Sequence, residues 1–355
     1  MRQLQLAHFL FYSPTGLRGK ESFMKKSAFT KILIGVLVVT IFVIIAIGLS
    51  RGSNSPDTPD TSDTSDTSNK LDDTPTSVAS QGLSYVINDD GRSYSVYSGS
   101  CKDADVVIAS TYNNLPVTTI GDFAFKDYAH NLTTITIPNS ITSIGKEAFK
   151  NCNKLVTVTI PDSVKTIGQS AFSGCKQLKK AIIGNGVTTI DYYAFIECSN
   201  LESVTIGNSV KSIGGSAFES CGLKSIVIPD SVKTIGQSAF KLCGSLNSVT
   251  IGSGIKTIDF STFSRCFNLS SVVIPDSVET IRSFAFENCY ALTKVTIGSG
   301  VKQMDGFVFD NCSKLNKITF NGTVEQWNNI SKEKYWNTEI IATEVSCSNG
   351  TVKLK

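Results

Sequence analysis

Apolar side chains recur at the same relative positions throughout residues 117–320, once every 22 to 24 residues. In one clean copy they are Ile141, Ile144, Ala148, Phe149, Cys152, Leu155, Val158 and Ile160. Eight cysteines mark the period, with successive gaps of 23, 23, 23, 22, 23, 23 and 23 residues: Cys152, Cys175, Cys198, Cys221, Cys243, Cys266, Cys289 and Cys312. A single globular core has no reason to keep such a period, but a solenoid does, because each coil is the same unit stacked on the last. The pattern therefore predicts a repeat solenoid of nine coils.

The pattern inside a coil predicts its local structure. Residues 155–160 are short, β-branched and partly alternating, which predicts one short parallel β-strand per coil. Such segments end in Pro-Asp-Ser, Gly-Asn-Gly or Gly-Ser-Gly, which are typical of turns. Residues 167–172 are too short for an α-helix and predict a tight turn or a 3₁₀ segment. One coil cannot bury its own apolar face, so we expect a buried column of nine stacked phenylalanines: Phe125, Phe149, Phe172, Phe195, Phe218, Phe240, Phe263, Phe286 and Phe309.

The repeated motif Ile-Gly-x-x-Ala-Phe-x-x-Cys-x-x-Leu-x-x-Val-Thr-Ile-Pro resembles the BspA-type leucine-rich repeat of bacterial surface antigens. Residues 83–108 resemble the N-terminal cap of that family, and residues 322–327 and 347–350 resemble its C-terminal cap. The resemblance implies a cap at 82–116, repeats at 117–320 and a second cap at 321–355. It also implies adhesion to host or neighbouring-cell proteins.

Two coils depart from the motif. The coil from Val210 lacks one residue between Cys221 and Leu223. The coil from Val117 has an extra residue and has Ala129 where cysteine is expected. We interpret both as local irregularities within the same fold.

Residues 32–50 contain no charged side chain. As a helix of ~1.5 Å rise per residue they would span ~28 Å, close to the ~30 Å of a hydrocarbon core. A cleaved secretory signal is the alternative, but its apolar region is normally ~7–15 residues long with a small-residue cleavage site after it. The pattern therefore favours an uncleaved transmembrane helix. Lysines and arginines precede it, which places residues 1–31 in the cytoplasm and the repeats outside the cell.

Residues 51–81 are almost all Ser, Thr, Asp, Pro, Asn and Gly, which predicts a disordered linker. The whole chain has a formal charge of +3, with 33 Lys and Arg against 30 Asp and Glu. Residues 1–50 hold six of those bases and one acid, a net +5, so the remainder carries 27 bases and 29 acids, a net −2. The outer part has no basic footprint, which argues against a nucleic-acid partner.

The eight repeat cysteines are predicted to be reduced core thiols. Stacked coils hold their Cβ vectors parallel, and each cysteine has two equivalent neighbours, so no pair is favoured. One cysteine per coil without histidine gives no zinc spacing, and we expect no metal or cofactor. No Gly-x-Ser-x-Gly, nucleotide loop or His-Glu-x-x-His motif occurs, which predicts a protein that is not an enzyme. The redox states of Cys101 and Cys347, in opposite caps, stay open.

Two surfaces are candidate binding sites. The first comprises outward side chains of the strands, rich in hydroxyls with three lysines: Thr157, Thr159, Lys180, Ser203, Thr205, Ser248, Thr250, Lys294, Thr296, Lys317 and Thr319. The alternative is that Ser and Thr simply suit strands. The second is an aromatic patch of Phe284 and Phe307 in adjacent coils, which either is exposed or lies under a neighbouring loop.

The sequence thus predicts a membrane-anchored cell-surface protein that binds an extracellular protein or glycan. The alternative is a structural envelope spacer without a specific ligand. A glycoside hydrolase is disfavoured because no paired carboxylates recur in a pocket-like context. The oligomeric state is not predicted.

Overall fold

The computed structural model describes residues 78–128 and 131–354. The predicted tail at 1–31, the predicted transmembrane helix at 32–50 and all but the last residues of the predicted linker at 51–81 lie outside these described residues. Within the described ranges, no helix combines the length and apolar character needed to cross a bilayer.

Each coil contributes two parallel strands, where the sequence pattern predicted one. In the coil that begins at Ile141, the predicted strand is Thr157–Ile160, and a shorter strand, Ser143–Ile144, precedes it. The short strand pairs with Thr166–Ile167 of the next coil. Two residues are too few to give a periodic signal, and only the backbone hydrogen bonds to the neighbouring coils define this second strand.

The strands fall into three groups. The longer strands are β3 (Asp105–Val107), β6 (Thr134–Thr136), β8 (Thr157–Ile160), β10 (Lys180–Ile183), β12 (Ser203–Thr205), β14 (Ser225–Ile228), β16 (Ser248–Ile251), β18 (Ser271–Ile274), β20 (Lys294–Ile297), β22 (Lys317–Phe320) and β24 (Glu344–Cys347). The partner strands are β2 (Tyr94–Tyr97), β5 (Leu115–Ile120), β7 (Ser143–Ile144), β9 (Thr166–Ile167), β11 (Thr189–Ile190), β13 (Ser212–Ile213), β15 (Thr234–Ile235), β17 (Thr257–Ile258), β19 (Thr280–Ile281), β21 (Gln303–Met304) and β23 (Ser331–Lys332). The antiparallel end strands are β1 (Ser84–Ile87), β4 (Thr111–Tyr112) and β25 (Gly350–Lys353).

The solenoid has about 11 turns, two more than the nine coils counted from the sequence. The additional turns come from the segments predicted as caps. At one end β2 pairs in parallel with β5 and β3 with β6. At the other end β21 pairs with β23 and β22 with β24. The caps therefore continue the stack by one turn each before an antiparallel strand ends it.

The predicted phenylalanine column is confirmed. All nine rings are at most 1% exposed, and each lies 4.9–5.5 Å from the next with planes within 14° of parallel. Burying a phenylalanine side chain contributes roughly 1.5–3 kcal/mol relative to exposing it. This column is thus the largest repeated apolar element of the core.

The segment around each phenylalanine is a turn in nearly every coil, and a 3₁₀ helix forms only at Lys126–Tyr128 within the described residues. Two residues of each turn after the first coil take a left-handed backbone, such as Glu147 with φ 52° and Asn151 with φ 60°. Their N–H groups donate to carbonyl oxygens of the next coil, Asn151 to Ser173 at 2.8 Å. The turn side therefore carries its own hydrogen-bond ladder along the stack.

Aromatic residues also close the ends of the column. Tyr128 packs edge-on against Phe125, with ring centroids 6.4 Å apart. At the other end Trp336 packs edge-on against Phe309 at 6.4 Å and against Trp327 at 5.7 Å. Trp327 lies on the single α-helix of the described residues, α1 (Val324–Asn329), which a capping box of Thr323 and Gln326 begins.

The sheet of longer strands is interrupted three times. Pairing is lost between β6 and β8, between β12 and β14, and between β16 and β18. The coil after each interruption carries a proline directly behind its strand: Pro161, Pro229 and Pro275. Proline has no N–H to donate, whereas Gly184 in the same position donates to Ile160 at 2.9 Å. Each interruption thus coincides with a proline that lacks this donor, although Pro138 at the same position of the first coil does not prevent β3 and β6 from pairing.

The junction between the coils beginning at Val232 and Ile255 is the most open, because β15 and β17 are unpaired there too. The turn side stays connected, with the Phe240 N–H donating to the Thr262 carbonyl at 2.9 Å. The inward side chains of Val249 and Ile251 are 9% and 8% exposed, more than most of their equivalents. The turn side thus carries most of the hydrogen bonds of this junction, and the strand side adds Ser270, whose N–H and hydroxyl each lie 3.4 Å from the Asn247 carbonyl.

Truncation of the central ring tests the burial of the column. We expect Phe218→Ala to lower the free energy of unfolding by about 3–5 kcal/mol, the usual cost of removing a buried phenylalanine. Phe123→Ala removes a ring that is 47% exposed and should cost under about 1 kcal/mol. Denaturant unfolding of both variants measures the difference, and equal small losses would contradict a buried column.

Hydrogen exchange tests the open junction. The N–H groups of Lys256 and Asp259 have no backbone acceptor, whereas those of the equivalent Glu279 and Arg282 donate across the next junction at 2.8 and 2.9 Å. The first pair should exchange at least about tenfold faster than the second, since opening there breaks fewer hydrogen bonds. Equal protection of the two pairs, measured by NMR, would show that the junction is closed.

Candidate functional site

The outward side of the longer strands is called the strand face here, and it holds the residues predicted as the first binding surface. Parallel pairing in register aligns them, for example Thr157 with Lys180 and Lys180 with Ser203. Most are exposed, and only Thr296 and Thr319 are half-buried. The structure therefore brings the eleven predicted residues to one face. Their role in binding stays a prediction.

Charge on the strand face is unbalanced. Lys294 lies directly beside Lys317 in the register of β20 and β22. Among the described residues, neither these two lysines nor Lys180 forms an ion pair. Val227 and Val273 are 61% and 60% exposed on the same face. The face offers hydroxyls, isolated cations and β-branched apolar groups to a ligand.

Two grooves cross the strand face where the sheet is interrupted. The groove between β12 and β14 has a volume of about 570 Å³ and is lined by Ser203, Thr205, Ser225 and Val227, among others. The groove between β6 and β8 has a volume of about 510 Å³. Both combine side-chain hydroxyls with strand backbone groups released from the ladder, so they can donate and accept hydrogen bonds.

The second predicted surface is part of a longer row of rings on the turn side. Phe284 and Phe307 are half-buried and stack at 5.4 Å with planes 2° apart. Phe260 packs edge-on against Phe284, and Tyr335 stacks on Phe307, each at 5.4 Å. We call Phe260, Phe284, Phe307 and Tyr335 the aromatic ridge. Phe260 and Tyr335 were missed in the sequence because the first lies one position earlier in its coil and the second lies in the predicted cap.

The repeat cysteines form a structural ladder. All ten cysteines of the chain are free thiols, and the eight of the repeats are buried. Each repeat thiol donates to the phenylalanine carbonyl of the preceding coil, as Cys175 does to Phe149 at 3.1 Å. Burial raises the pKa of Cys152 and of Cys243 to about 12. A thiol held neutral and hydrogen-bonded is a poor nucleophile, so Cys152 and Cys243 have a structural role in the stack.

Aspartates at the turns also have structural partners. The Asp230 carboxylate accepts the Ser253 N–H at 2.7 Å, and this bond lowers the pKa of Asp230. Asp276 accepts the Ser299 N–H in the same way. The carboxylates thus cross-link a Pro-Asp-Ser turn to the Gly-Ser-Gly turn of the next coil. Residues 78–128 and 131–354 contain no group of three or more His, Cys, Asp or Glu that could hold a metal ion.

The repeat geometry agrees with a known sequence family. The family model for the BspA type leucine-rich repeat region matches residues 118–247 and 233–353, with six copies. The chain belongs to the BspA-type leucine-rich repeat family. This family comprises leucine-rich repeat surface proteins, and such repeat scaffolds are typically non-enzymatic binding proteins.

Three solved structures illustrate the similarity of this BspA-type protein to others. A leucine-rich repeat protein from Bacteroides ovatus is 25% identical, with a TM-score of 0.56, over 78% of this chain and 72% of that one. The T. pallidum leucine-rich repeat protein is 29% identical, with a TM-score of 0.47, over 62% and 91%. A leucine rich cell surface protein from Faecalibacterium prausnitzii is 25% identical, with a TM-score of 0.32, over 73% and 98%. No curated protein matches the chain significantly.

The thiol ladder makes a prediction about alkaline pH. The pKa of Cys243 is about 12 in the folded protein against an ordinary value of 9.0, so the unfolded chain loses this proton first as pH rises. Stability should therefore fall above about pH 9, by about 1.4 kcal/mol per pH unit for each such thiol. Denaturant unfolding at several pH values measures how steeply the free energy of unfolding falls above pH 9. Cys243→Ala should make this fall less steep by the contribution of one thiol. Cys347→Ala, at a half-buried site, should change it less. An unchanged slope in Cys243→Ala would contradict a buried neutral thiol.

Proposed function

We propose that this BspA-type protein recognises an extracellular protein or glycan through its strand face and so mediates adhesion at the cell surface. The supporting observation is the strand face itself, on which hydroxyls and three unpaired lysines align in register on stacked strands. An elongated stack of this kind offers one ligand many equivalent contacts, which is how solenoids usually bind. The proposed activity is recognition without chemistry.

The proposed arrangement places the repeats outside the cell on a tether. In this proposal, which keeps the sequence prediction, residues 1–31 are the cytoplasmic tail, 32–50 the single transmembrane segment and 51–81 the linker. Residues 82–116 and 321–355 cap the repeats at 117–320. The support comes from the sequence, in which an uncharged stretch of membrane-spanning length follows a basic segment.

A second candidate function is that of an envelope spacer without a specific ligand. The composition of the strand face favours it, because the outward positions of β8 to β22 carry no Trp, Tyr or Arg. Those three residues dominate the binding energy of most protein interfaces. Ser and Thr on the face would then reflect strand preference alone.

Adhesion of intact cells displaying the full chain separates the two functions. Binding to immobilised matrix proteins and glycans should saturate, and the double variant Lys294→Glu and Lys317→Glu should weaken it at least about tenfold, since it reverses two adjacent unpaired charges. The matched control is the double variant Lys211→Glu and Lys233→Glu. These two lysines stand at equivalent positions of successive coils, as Lys294 and Lys317 do, but they lie away from the strand face.

Three results would contradict the proposal. A flat signal on every surface favours the spacer. Equal weakening by both double variants shows general charge attraction. Protease added to the intact cells should remove the repeats, and full protection would refute the outward orientation.

A further inference from the structure

We propose that the aromatic ridge and the carboxylates beside it form a second docking surface, which takes an extended lysine- or arginine-bearing segment of a partner protein. This surface lies on the turn side, so it is separate from the strand face. The inference combines exposed apolar rings with local negative charge, which together complement a cationic side chain.

Each ring at the centre of the ridge has a carboxylate in its own turn. The Glu287 N–H donates to the Phe284 carbonyl at 3.1 Å, and the Asp310 N–H donates to the Phe307 carbonyl at 3.3 Å. The turn therefore fixes a ring and an acid three residues apart. Stacking of the coils repeats the pair along the ridge.

The negative charge at the ridge is poorly compensated. Asp310 is half-buried, and burial together with the nearby Glu339 and Glu287 raises the pKa of its carboxyl. Within the described residues, its side chain forms neither an ion pair nor a hydrogen bond, while Glu287 accepts only the Ser264 hydroxyl at 2.8 Å. Of the neighbouring bases, Arg282 pairs with Asp305 at 3.5 Å, and Lys334 lies 4.6 Å from the centre of the Tyr335 ring at one end of the ridge. A cation placed against Asp310 would offset the repulsion.

The first coil shows which group this arrangement accepts. Phe123 occupies the same position of its coil as Phe284 and Phe307. The Lys126 ammonium lies 5.1 Å from the centre of the Phe123 ring and 2.8 Å from the Glu147 carboxylate. One lysine of the chain thus bridges the ring of its own coil and a carboxylate of the next coil. In the coils of Phe284 and Phe307 the position of Lys126 carries Glu287 and Asp310 instead, so a lysine against these two rings would come from a partner.

The position of these rings is left-handed in every coil, so the backbone there belongs to the repeat. Phe284 and Phe307 have φ of 60° and 62°, a conformation that bulky side chains rarely adopt. Four other coils carry serine at this position: Ser170, Ser216, Ser238 and Ser261. The fold therefore does not need a ring there, and half-buried rings at two adjacent copies are better explained by recognition.

The length of the ridge fits a short segment. Three successive centroid spacings of 5.4 Å separate its four rings. That distance corresponds to about five residues of extended chain at roughly 3.3 Å each. A row of this size is too small for the ~800 Å² per partner that a stable dimer usually buries, so the occupant is a peptide segment and not a second copy of this chain.

Binding of a labelled heptalysine peptide to the full chain in detergent micelles tests the inference. Asp310→Asn and Phe307→Ser should each raise the Kd about fivefold to tenfold, because each removes one half of a ring-and-carboxylate pair. The matched control is Glu219→Gln. Glu219 has the same turn position as Asp310, but serine (Ser216) takes the place of the ring in its coil, so the Kd should stay within about twofold.

The same titration with a fully acetylated peptide should show no binding. Unchanged affinity in both ridge variants, equal weakening in Glu219→Gln, or binding of the acetylated peptide would each overturn the inference. Since serine occupies the position of Phe307 in other coils, Phe307→Ser should keep the wild-type melting temperature to within a few degrees. If Phe307→Ser is less stable than this, the Kd of Asp310→Asn still tests the inference.

Discussion

Every feature of this protein depends on each coil covering the apolar side of the next at a ring spacing close to 5 Å. No coil has a core of its own, so an inward residue must meet its counterparts above and below. The stacked phenylalanines are the largest side chains that repeat along this core. The thiol of each following coil joins two coils by donating to a phenylalanine carbonyl, as Cys198 does to Phe172. Inward positions are therefore nearly invariant along the stack, and variation is confined to outward ones.

This division separates stability from recognition. Outward residues such as Lys294 and Phe307 can change without opening the core, so one scaffold can carry unrelated surfaces. The strand face collects hydroxyls and unpaired lysines, whereas the turn side collects rings and carboxylates near the C-terminal end. A protein that displays two chemically different faces can contact two partners at once. The interruptions of the sheet add a further variable, since they mark where the stack can open.

The sequence was sufficient to predict the fold because the core is periodic. Phe218 and Cys221 stand at positions that their neighbours repeat, and all such residues are buried. The two end turns were missed because Trp336 takes the place of phenylalanine and the spacing changes. The short strands were missed because two residues carry no pattern. The interruption at Pro229 could not be predicted from the proline alone, because Pro138 stands at the same position of the first coil and β3 and β6 still pair there.

Surface chemistry was predicted less completely. Register alone placed the strand-face residues together, since equivalent positions of stacked coils must align. The aromatic ridge needed coordinates, because Phe260 reaches Phe284 from a different position of its coil. Whether either surface binds a ligand depends on a partner that the chain does not encode.

Ring-to-ring contacts measure the central claim most directly. In protein with isotope-labelled phenylalanine rings, nuclear Overhauser effects should connect each ring to the next in one unbroken series from Phe125 to Phe309. A soluble paramagnetic agent should not broaden the NMR signals of these rings. If ring-to-ring nuclear Overhauser effects were absent at more than one junction, or if the agent broadened the signals of the central rings, the coils would not share one buried column.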